Sequence, residues 1–348
     1  MGKVTIGDVA ELAGVSKSTV SRVLNKSGYV NETTLKKIED AIAQLKFIPS
    51  QAAVNLSKSK TNMIGFLVPD ICNNFFSEIY YTASKIAEEE GYHLLLINTD
   101  DNAQIEEAAL NSLLSQGICG LIMTPVSEKS QNNMNLLKFA SSRGVPIVFI
   151  DREIEGFYCD SVFVDNIQST KKIVELLIQE GHTNIAALTG PKDTVPGKER
   201  ELGFKVALAE NSIPLEKENI IMANFKEEDA YEATKALLAR EHRPTAIFSS
   251  NNLMTVGAVK AIYESGLKIP DDISFAGFDD VAIMSSFGIE LTVIDRPTFG
   301  MGKIAMRILL QRIEKNEPFE KMLVQRVVLP TKLVVRGSEK LIKNERRV

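Results

Sequence analysis

Residues 5–25 read TIGDVAELAGVSKSTVSRVLN, and this stretch predicts two short helices joined by a tight turn. Thr5 and Asp8 have the spacing of a capping box, in which two residues satisfy the first amide groups of a helix. Gly14 supplies the backbone freedom that the turn needs. Ser16 can then cap the second helix. Two helices at this spacing are typical of a helix-turn-helix that reads DNA.

The second of these helices separates an apolar side from a short, polar and basic side. A recognition helix needs such a polar side, because base edges in the major groove offer hydrogen-bond partners and phosphates attract cations. We therefore predict that Lys17, Ser18 and Arg22 read bases. Any amphipathic pair of helices turns polar residues outward, but this stretch also has the complete spacing of a helix-turn-helix. The full set of predicted DNA contacts in this stretch is Thr5, Ser16, Lys17, Ser18, Thr19, Ser21, Arg22 and Asn25.

The stretch resembles the headpiece of the lactose-repressor family of bacterial transcription regulators. The family pattern T-I-x-x-V-A-x-x-A-G-V-S-x-x-T-V-S-R-V-L-N is matched without a gap from Thr5 to Asn25. The likeness continues at Gly-x-x-x-Pro-Asp (65–70), at Asp151-Arg152, at Val164-Asp165-Asn166 and at ISFAGFDD (273–280). It implies an all-α helix-turn-helix headpiece followed by an α/β, two-lobed, periplasmic-binding-protein-like effector domain with parallel sheets.

Charge and cysteine content agree with this division. The chain has 348 residues and a net charge of −5. Residues 1–60 contain nine Lys and Arg against five Asp and Glu, so they carry +4 and the remainder carries −9. This asymmetry places a polyanionic partner at the N-terminal part. The three cysteines are widely spaced, which suggests neither a disulfide framework nor a zinc site. No apolar run reaches the roughly 20 residues of a membrane span, so we expect a cytoplasmic protein.

A headpiece and a linker precede the larger part of the chain. A third helix, capped by Asn31, completes a headpiece over 1–49, and residues 50–62 are small and polar. So short a polar segment does not fold alone. The resemblance implies that it becomes a hinge helix when two copies meet on DNA, with Leu56 wedged into the minor groove. Two positions depart from the family: Val54 stands where Arg is usual, and Ser50 where Asn is usual.

From residue 63 onward, strand-like apolar runs alternate with helical patterns, as in parallel α/β sheets. We predict a first lobe from 63–161 and 293–322, and a second lobe from 162–292 and 323–338, with a tail at 339–348. The return of the chain into the first lobe is implied by the resemblance. Three crossings between the lobes would then frame a cleft, and ligands of such sheets sit at the carboxyl ends of strands.

Polar and aromatic residues near these predicted strand ends form a candidate effector site. Amides, carboxylates and guanidinium groups can satisfy the hydroxyl groups of a sugar, and aromatic rings can stack on its apolar face. Arg200 begins the family's R-x-x-G-F pattern, in which the arginine reaches the effector. For Asp165 and its neighbours, capping of the next helix is an equally good reading. The predicted effector-binding residues are Phe75, Phe76, Arg152, Asp165, Arg200, Phe225, Asn251, Asp279 and Arg296.

Two departures from the family bear on the effector. Asn252 stands where Asp is usual, and Arg296 stands where many members have Gln. Both changes add positive character, so one hypothesis is an acidic ligand, such as a sugar acid or a phosphosugar, near Arg296, Arg200 and Arg152. The alternative is that Arg296 only pairs with a neighbouring carboxylate.

The sequence contains no motif that would support catalysis. Gly-x-Ser-x-Gly, a phosphate-binding P-loop and His-Glu-x-x-His are all missing, and the three histidines lie in unrelated contexts. We predict no cofactor, no metal and no enzymatic activity. The expected function is a sequence-specific regulator, and most simply a repressor, of a carbohydrate-use operon, with a sugar, sugar acid or phosphosugar as effector. The alternative is a global catabolite-type regulator controlled mainly by a protein co-regulator.

Operator DNA with pseudo-palindromic half-sites would match a two-fold symmetric homodimer. The resemblance implies dimer contacts along four segments near the surface of the lobes. The tail shows no leucine heptads of the kind that form tetramers. The four segments are 77–90, 104–116, 252–264 and 280–287.

Overall fold

The computed structural model describes residues 4–24, 28–47, 61–315 and 323–342. The chain divides into two compact units, Met1–Thr61 and Asn62–Val348. We call the described part of the first unit the headpiece and the second unit the body.

The headpiece consists of three helices, α1 (Ile6–Ala13), α2 (Lys17–Leu24) and α3 (Glu32–Leu45). The predicted capping box begins α1, and Gly14 ends it in the left-handed region at φ 66°. The side chain of Asn31 accepts a hydrogen bond from the Thr34 amide at 2.8 Å and so caps α3. Apolar residues from all three helices form one small core around the fully buried side chains of Val9, Val20 and Ile38.

The body contains two six-stranded sheets with helices on both faces. The strands in chain order are β1 (Met63–Val68), β2 (His93–Asn98), β3 (Gly120–Met123), β4 (Ile147–Ile150), β5 (Asp160–Val164), β6 (Ile185–Thr189), β7 (Ile220–Met222), β8 (Ala246–Ser249), β9 (Ser274–Phe278), β10 (Thr292–Asp295), β11 (Arg326–Leu329) and β12 (Lys332–Val334). The helices are α4 (Asn74–Glu89), α5 (Ala103–Ser115), α6 (Gln131–Ser142), α7 (Asn166–Gln179), α8 (Val195–Glu210), α9 (Glu227–Leu238), α10 (Asn252–Glu264), α11 (Ala282–Ser285) and α12 (Thr298–Lys315).

The two sheets define two lobes. The first has the strand order β11-β5-β4-β3-β1-β2 and the second has the order β12-β10-β9-β8-β6-β7. The described pairings are parallel, except that β12 runs antiparallel to β10. Successive residues of a strand face opposite sides of its sheet, so Phe66 lies in one buried apolar cluster and Leu67 in another. Both faces of each sheet are therefore covered, as the near-continuous apolar strands require.

The strand pairing corrects the predicted lobe boundaries. β5 pairs with β4 of the first sheet, although the prediction began the second lobe at 162. β10 pairs with β9 of the second sheet, although the first lobe was predicted to resume at 293. β11 returns to the first sheet beside β5, so the second lobe resumes only with β12. Both lobes repeat the same pattern of strands and helices, so an apolar run does not show which sheet it joins.

Three crossings between the lobes nevertheless occur, as predicted. The chain leaves the first lobe after β5, returns after β10 and leaves again after β11. The prediction omitted β7, whose three residues are only half-buried or exposed and lie at the edge of the second sheet. Within the described ranges, none of the helices combines the length and the apolar character that a bilayer crossing needs.

Candidate functional site

The second helix of the headpiece presents the predicted polar side to solvent. Lys17, Ser18 and Arg22 are exposed, whereas Val20 on the opposite side is fully buried. The hydroxyl of Ser16 accepts a hydrogen bond from the Thr19 amide at 3.2 Å and caps α2 as expected. The same hydroxyl lies 2.7 Å from that of Ser18 and 2.8 Å from that of Thr19. The exposed side is therefore a cluster of hydroxyls flanked by two cations.

The four other predicted DNA contacts differ from these. The Thr5 hydroxyl donates to the Asp8 carboxylate at 2.9 Å within the capping box. The Thr5 amide and hydroxyl together lower the pKa of Asp8. Ser21 is half-buried. Asn25 and Leu56 lie outside the described residues.

A cavity of about 270 Å³ lies between the two lobes, at the carboxyl ends of their strands. Residues of both lobes line it, and they follow several different strands. Eight of the nine predicted effector residues are among them: Phe75, Phe76, Arg152, Arg200, Phe225, Asn251, Asp279 and Arg296.

The ninth, Asp165, does not line the cavity. It is exposed, and its carboxylate accepts a hydrogen bond from the Gln168 amide at 2.9 Å, so it caps α7. This is the capping alternative that the sequence left open. Asn251 combines both roles: it lines the cavity, and its side chain caps α10 by accepting from the Met254 amide at 2.9 Å.

Several lining residues have an unfavourable backbone conformation. Positive φ angles occur at Asp151 (63°), Asp279 (72°), Phe225 (58°), Asp100 (53°) and Asp101 (50°). A non-glycine residue in this region costs free energy that the surrounding structure must offset, and such residues concentrate at ligand sites. The sharp turns they make after the strands aim their side chains at the cavity.

Arg296 is bound by two carboxylates. Its Nε and Nη2 donate to the two oxygens of Asp279 at 2.5 and 2.6 Å, and its Nη1 donates to Asp151 at 2.6 Å. The guanidinium also lies 3.3 Å from the centre of the Phe75 ring. Burial alone would lower the pKa of Arg296, but Asp279 and Asp151 raise it overall. Arg296 therefore joins the lobes as the centre of a buried ion cluster.

Arg200 keeps one donor without a hydrogen-bond partner in the described part of the chain. Its Nε donates to Asn166 at 2.9 Å and its Nη1 to the Ser250 carbonyl at 2.6 Å. Its Nη2 is buried and unsatisfied, 3.9 Å from Asp151. Burial, followed by the neighbouring Arg296, lowers the pKa of Arg200 to about 9. An unsatisfied buried donor costs about 1–3 kcal/mol, so a ligand oxygen placed there would stabilise the site.

Arg152 offers a second such donor. Its Nη1 binds the Asp101 carboxylate at 2.7 Å and the Val126 carbonyl at 3.2 Å. Its Nε is buried and, among the described residues, has no hydrogen-bond partner. The guanidinium groups of Arg152 and Arg200 lie 6.0 and 5.9 Å from the centre of the Phe225 ring.

The lobes also meet directly at the rim of the cavity. The Asn252 amide donates to the side-chain oxygen of Asn73 at 2.8 Å, which links α10 to the cap of α4. Farther out, the Lys198 ammonium lies 2.5 Å from a carboxylate oxygen of Glu128. Together with the cluster around Arg296, these contacts join the two lobes beside the cavity.

The nine predicted effector residues leave out several acidic residues of the cavity and one cation. Asp151 and Asp101 bind the two arginines described above, and Lys226 adds a further positive charge. Asp151 had a signal in the sequence, because the family pattern contains the Asp151-Arg152 pair. Asp101 does not cap α5, because Asn102 caps that helix by accepting from the Gln104 amide at 2.8 Å.

Comparison with known proteins places both units in one family. The model for bacterial regulatory proteins of the lacI family matches residues 5–50. The model for periplasmic binding proteins and the sugar-binding domain of the LacI family matches residues 61–332.

Curated relatives cover nearly the whole chain. A ribose operon repressor of Halalkalibacterium halodurans is 34% identical over 97% of this chain and 97% of its own. The ribose operon repressor of Escherichia coli is 32% identical over 96% of this chain and 99% of its own. The transcriptional regulator DegA of Bacillus subtilis is 32% identical over 97% of this chain and 98% of its own.

Solved structures of transcription regulators also match nearly the whole chain. The Lac repressor dimer bound to operator and the anti-inducer ONPF is 28% identical, with a TM-score of 0.83 over 97% of this chain and all of that chain. The regulator CelR in complex with cellobiose is 27% identical, with a TM-score of 0.71 over 96% of this chain and 99% of that chain.

Repressors of this family bind operator DNA and sugar effectors and form dimers, and they are not enzymes. With its helix-turn-helix headpiece and its two-lobed body, this chain belongs to the LacI family and is a DNA-binding transcriptional repressor.

Proposed function

We propose that this protein represses a carbohydrate-use operon and that its effector is a neutral sugar of about monosaccharide size. The observation that carries this proposal is the state of Arg296, whose positive charge is offset by two carboxylates, because each of its three nitrogens donates to Asp279 or Asp151. An acidic ligand would need a cation that is not already neutralised. From the sequence, one of two readings was that Arg296 only pairs with a neighbouring carboxylate. That pairing supports a neutral ligand.

The charge of the lining supports the same choice. Five carboxylates, those of Asp70, Asp100, Asp101, Asp151 and Asp279, face three guanidinium groups and one ammonium group. The lining thus has no excess of positive charge for a carboxylate or phosphate to neutralise. Carboxylate oxygens accept and guanidinium nitrogens donate, so together they satisfy hydroxyl groups, which do both. Arg200 and Arg152 also each keep one buried nitrogen without a hydrogen-bond partner among the described residues, which a hydroxyl oxygen that reached it would satisfy.

Aromatic rings and cavity size narrow the ligand further. Phe75, Phe76 and Phe225 add apolar faces to a lining that is otherwise rich in charge, as the C–H face of a sugar ring requires. A cavity of about 270 Å³ lies just below the usual range of roughly 300–1,000 Å³ for ligand sites, which favours one sugar ring over two. The two relatives named ribose operon repressors make an aldopentose the first candidate.

A regulator controlled mainly by a protein co-regulator would have no need of a cavity between the lobes that charged and aromatic residues line. A small molecule can instead act by changing how the two lobes are arranged. A ligand that binds the closed lobes more tightly than open ones shifts the body toward closure, and the coupling to DNA affinity is typically about 1–3 kcal/mol. Since the operator lies on the chromosome, the protein would act in the cytoplasm.

Calorimetric titration of the full chain tests the effector. The ligands are D-ribose, other neutral pentoses and hexoses, the corresponding sugar acids and the sugar phosphates. We expect a neutral sugar to bind at least about tenfold more tightly than its acid or phosphate, a difference of roughly 1.4 kcal/mol. Tighter binding of an acid or a phosphate would overturn the choice of a neutral ligand.

DNA recognition is proposed to use the exposed side of α2, with Lys17, Ser18 and Arg22 as base readers. This role is supported by their exposure on one side of α2, whose other side packs into the core of the headpiece. Selection of bound duplexes from a random pool by the full chain should enrich a pseudo-palindrome. Enrichment of unrelated sequences would contradict base reading.

Leu56 is proposed to act as a minor-groove wedge. Operator bending by the Leu56→Ala variant tests this role, and we expect the bend to be lost.

The dimer is proposed to use the four segments implied by the resemblance. Exposed apolar side chains lie on all four of them: Tyr81 on α4, Ile105 on α5, Tyr263 on α10, and Ile283 and Phe287 at and after α11. Burial of such side chains between two copies would remove apolar surface from water.

A further inference from the structure

The ring of Phe225 lies directly against the backbone of Gly190. Gly190 follows β6 and is buried. A Cβ atom placed on Gly190 would lie 2.0 Å from Cζ of Phe225 and 2.3 and 2.5 Å from its two Cε atoms. Real Cβ atoms do not approach other heavy atoms this closely, so the ring occupies space that only glycine leaves open.

The backbone of Phe225 cannot easily move to relieve such a clash. Its carbonyl accepts a hydrogen bond from the Asn251 side chain at 3.3 Å. Two residues earlier, the Ala223 amide donates to the Thr189 carbonyl at 2.8 Å, which fixes the loop to the end of β6. Phe225 itself is held at a positive φ of 58°. A larger residue at 190 would therefore move the ring rather than the chain.

The open direction for the ring is the cavity. Phe225 lines it, and the guanidinium groups of Arg152 and Arg200, each with an unsatisfied buried nitrogen, lie about 6 Å from the ring centre. A displaced ring would approach these donors and fill the space in which a ligand oxygen meets them.

We propose that Gly190 is a specificity-determining positioning residue of the effector site. By lacking a side chain, it lets the Phe225 ring lie back against the end of β6, and this sets how large a sugar the cavity admits. The inference deepens the proposed function and rests on it. Gly190 does not contact the ligand and acts through Phe225.

A set of variants of the full chain tests this. In Gly190→Ala, affinity for the sugars that bind the wild type should fall by about tenfold or more, because overpacking closes the cavity. The loss should be larger for hexoses than for pentoses, so the ratio of their affinities should change. Phe225→Leu should lose less, and the double variant should bind like Phe225→Leu alone, because leucine lacks the Cε and Cζ atoms that clash.

Gly300→Ala is the matched control. A Cβ at Gly300 would meet its nearest neighbours at 3.6 and 3.8 Å, which is ordinary contact, so its sugar affinities should equal those of the wild type. Losses in Gly190→Ala and Phe225→Leu that simply add, or an unchanged pentose-to-hexose ratio in Gly190→Ala, would overturn the positioning role.

A crystal structure of Gly190→Ala separates failure of this inference from failure of the proposed function. It should show the Phe225 ring moved toward Arg152 and Arg200. A ring in its wild-type place overturns the inference whatever the protein binds. If the wild-type chain binds none of the sugars, the proposed effector is overturned, and the ring position in the variant still decides whether Gly190 holds Phe225 in place.

Discussion

The headpiece and the cavity of the body are both polar sites, but they are built in opposite ways. In the headpiece, the polar side chains are exposed, and the hydrogen bonds of Ser16 reach only two or three residues along the chain. In the cavity, Arg296 binds Asp151 across 145 residues and lies buried with it. The difference teaches that a site for a large, charged polymer can be a local surface. A site for a small ligand between two lobes needs charges that the whole fold holds in place.

The largest effect should come from breaking the cavity's ion cluster. Arg296→Leu leaves Asp151 and Asp279 buried without their cation, and removal of one partner of a buried pair costs about 3–5 kcal/mol. Arg326→Leu is the control, since its pair with Glu153 is half-exposed and should contribute at most about 1 kcal/mol. Urea unfolding of the full chain measures both, and equal losses would contradict the buried-cluster argument.

A second effect in the body should depend on pH. Burial raises the pKa of Glu106, on α5, to about 7 from an ordinary value of 4.5, although the Val126 amide, the Asn133 side chain and Arg152 oppose this. At pH values between 4.5 and about 7, Glu106 keeps its proton in the native state but has released it in the unfolded chain. The free energy of unfolding therefore falls as pH rises through this window, by about 3 kcal/mol at 1.36 kcal/mol per pKa unit.

Glu106→Gln removes this dependence and isolates it from other titrating groups. Glutamine can still accept from the Val126 amide. Asn133 now donates to Glu106 through its amide nitrogen, so the glutamine amide can donate to the Asn133 oxygen, which has no partner in the described part of the chain, once the Asn133 amide group turns over. The difference in unfolding free energy between wild type and variant should change between pH 4.5 and 7. A flat difference would show that burial does not raise the pKa of Glu106 in the folded protein.

In the headpiece, a single exposed side chain should affect binding without affecting the fold. Arg22→Ala should weaken binding to the selected duplex by about 1–3 kcal/mol if Arg22 makes a bidentate contact with a base. Its unfolding should be unchanged, because Arg22 is exposed. Affinities measured for the selected duplex and for random DNA distinguish two roles: equal losses on both would make Arg22 a phosphate contact.

The smallest effect should come from a local cap. Asn31→Ala removes the acceptor for the Thr34 amide and should destabilise the headpiece by about 1 kcal/mol. Lys37→Ala, at an exposed position within the same helix, should be close to neutral. Thermal unfolding of the headpiece helices by circular dichroism of the full chain compares the two. An equal shift would mean that the cap contributes nothing specific.

The sequence located most of the cavity but not its chemistry. Arg200 and Asp279 could be found because family motifs contain them, and the βα pattern placed Asp279 at the end of a strand. The pairing of Arg296 with carboxylates was one of two open readings, because partners 17 and 145 residues away leave no periodic signal. Asp165 was predicted to line the cavity but caps α7 instead. An aspartate before a helix can either cap that helix or face a cleft, and the sequence does not distinguish the two.

By itself, the sequence determined the headpiece, the alternation of strands and helices, and the family, because caps, turns and apolar periodicity act over a few residues. Only the tertiary structure decided which sheet takes β5, β10 and β11, which donors of Arg200 and Arg152 stay unsatisfied, and that Gly190 makes room for Phe225. These outcomes depend on close packing and burial between residues far apart in the chain, where space and hydrogen-bond partners are shared only after folding.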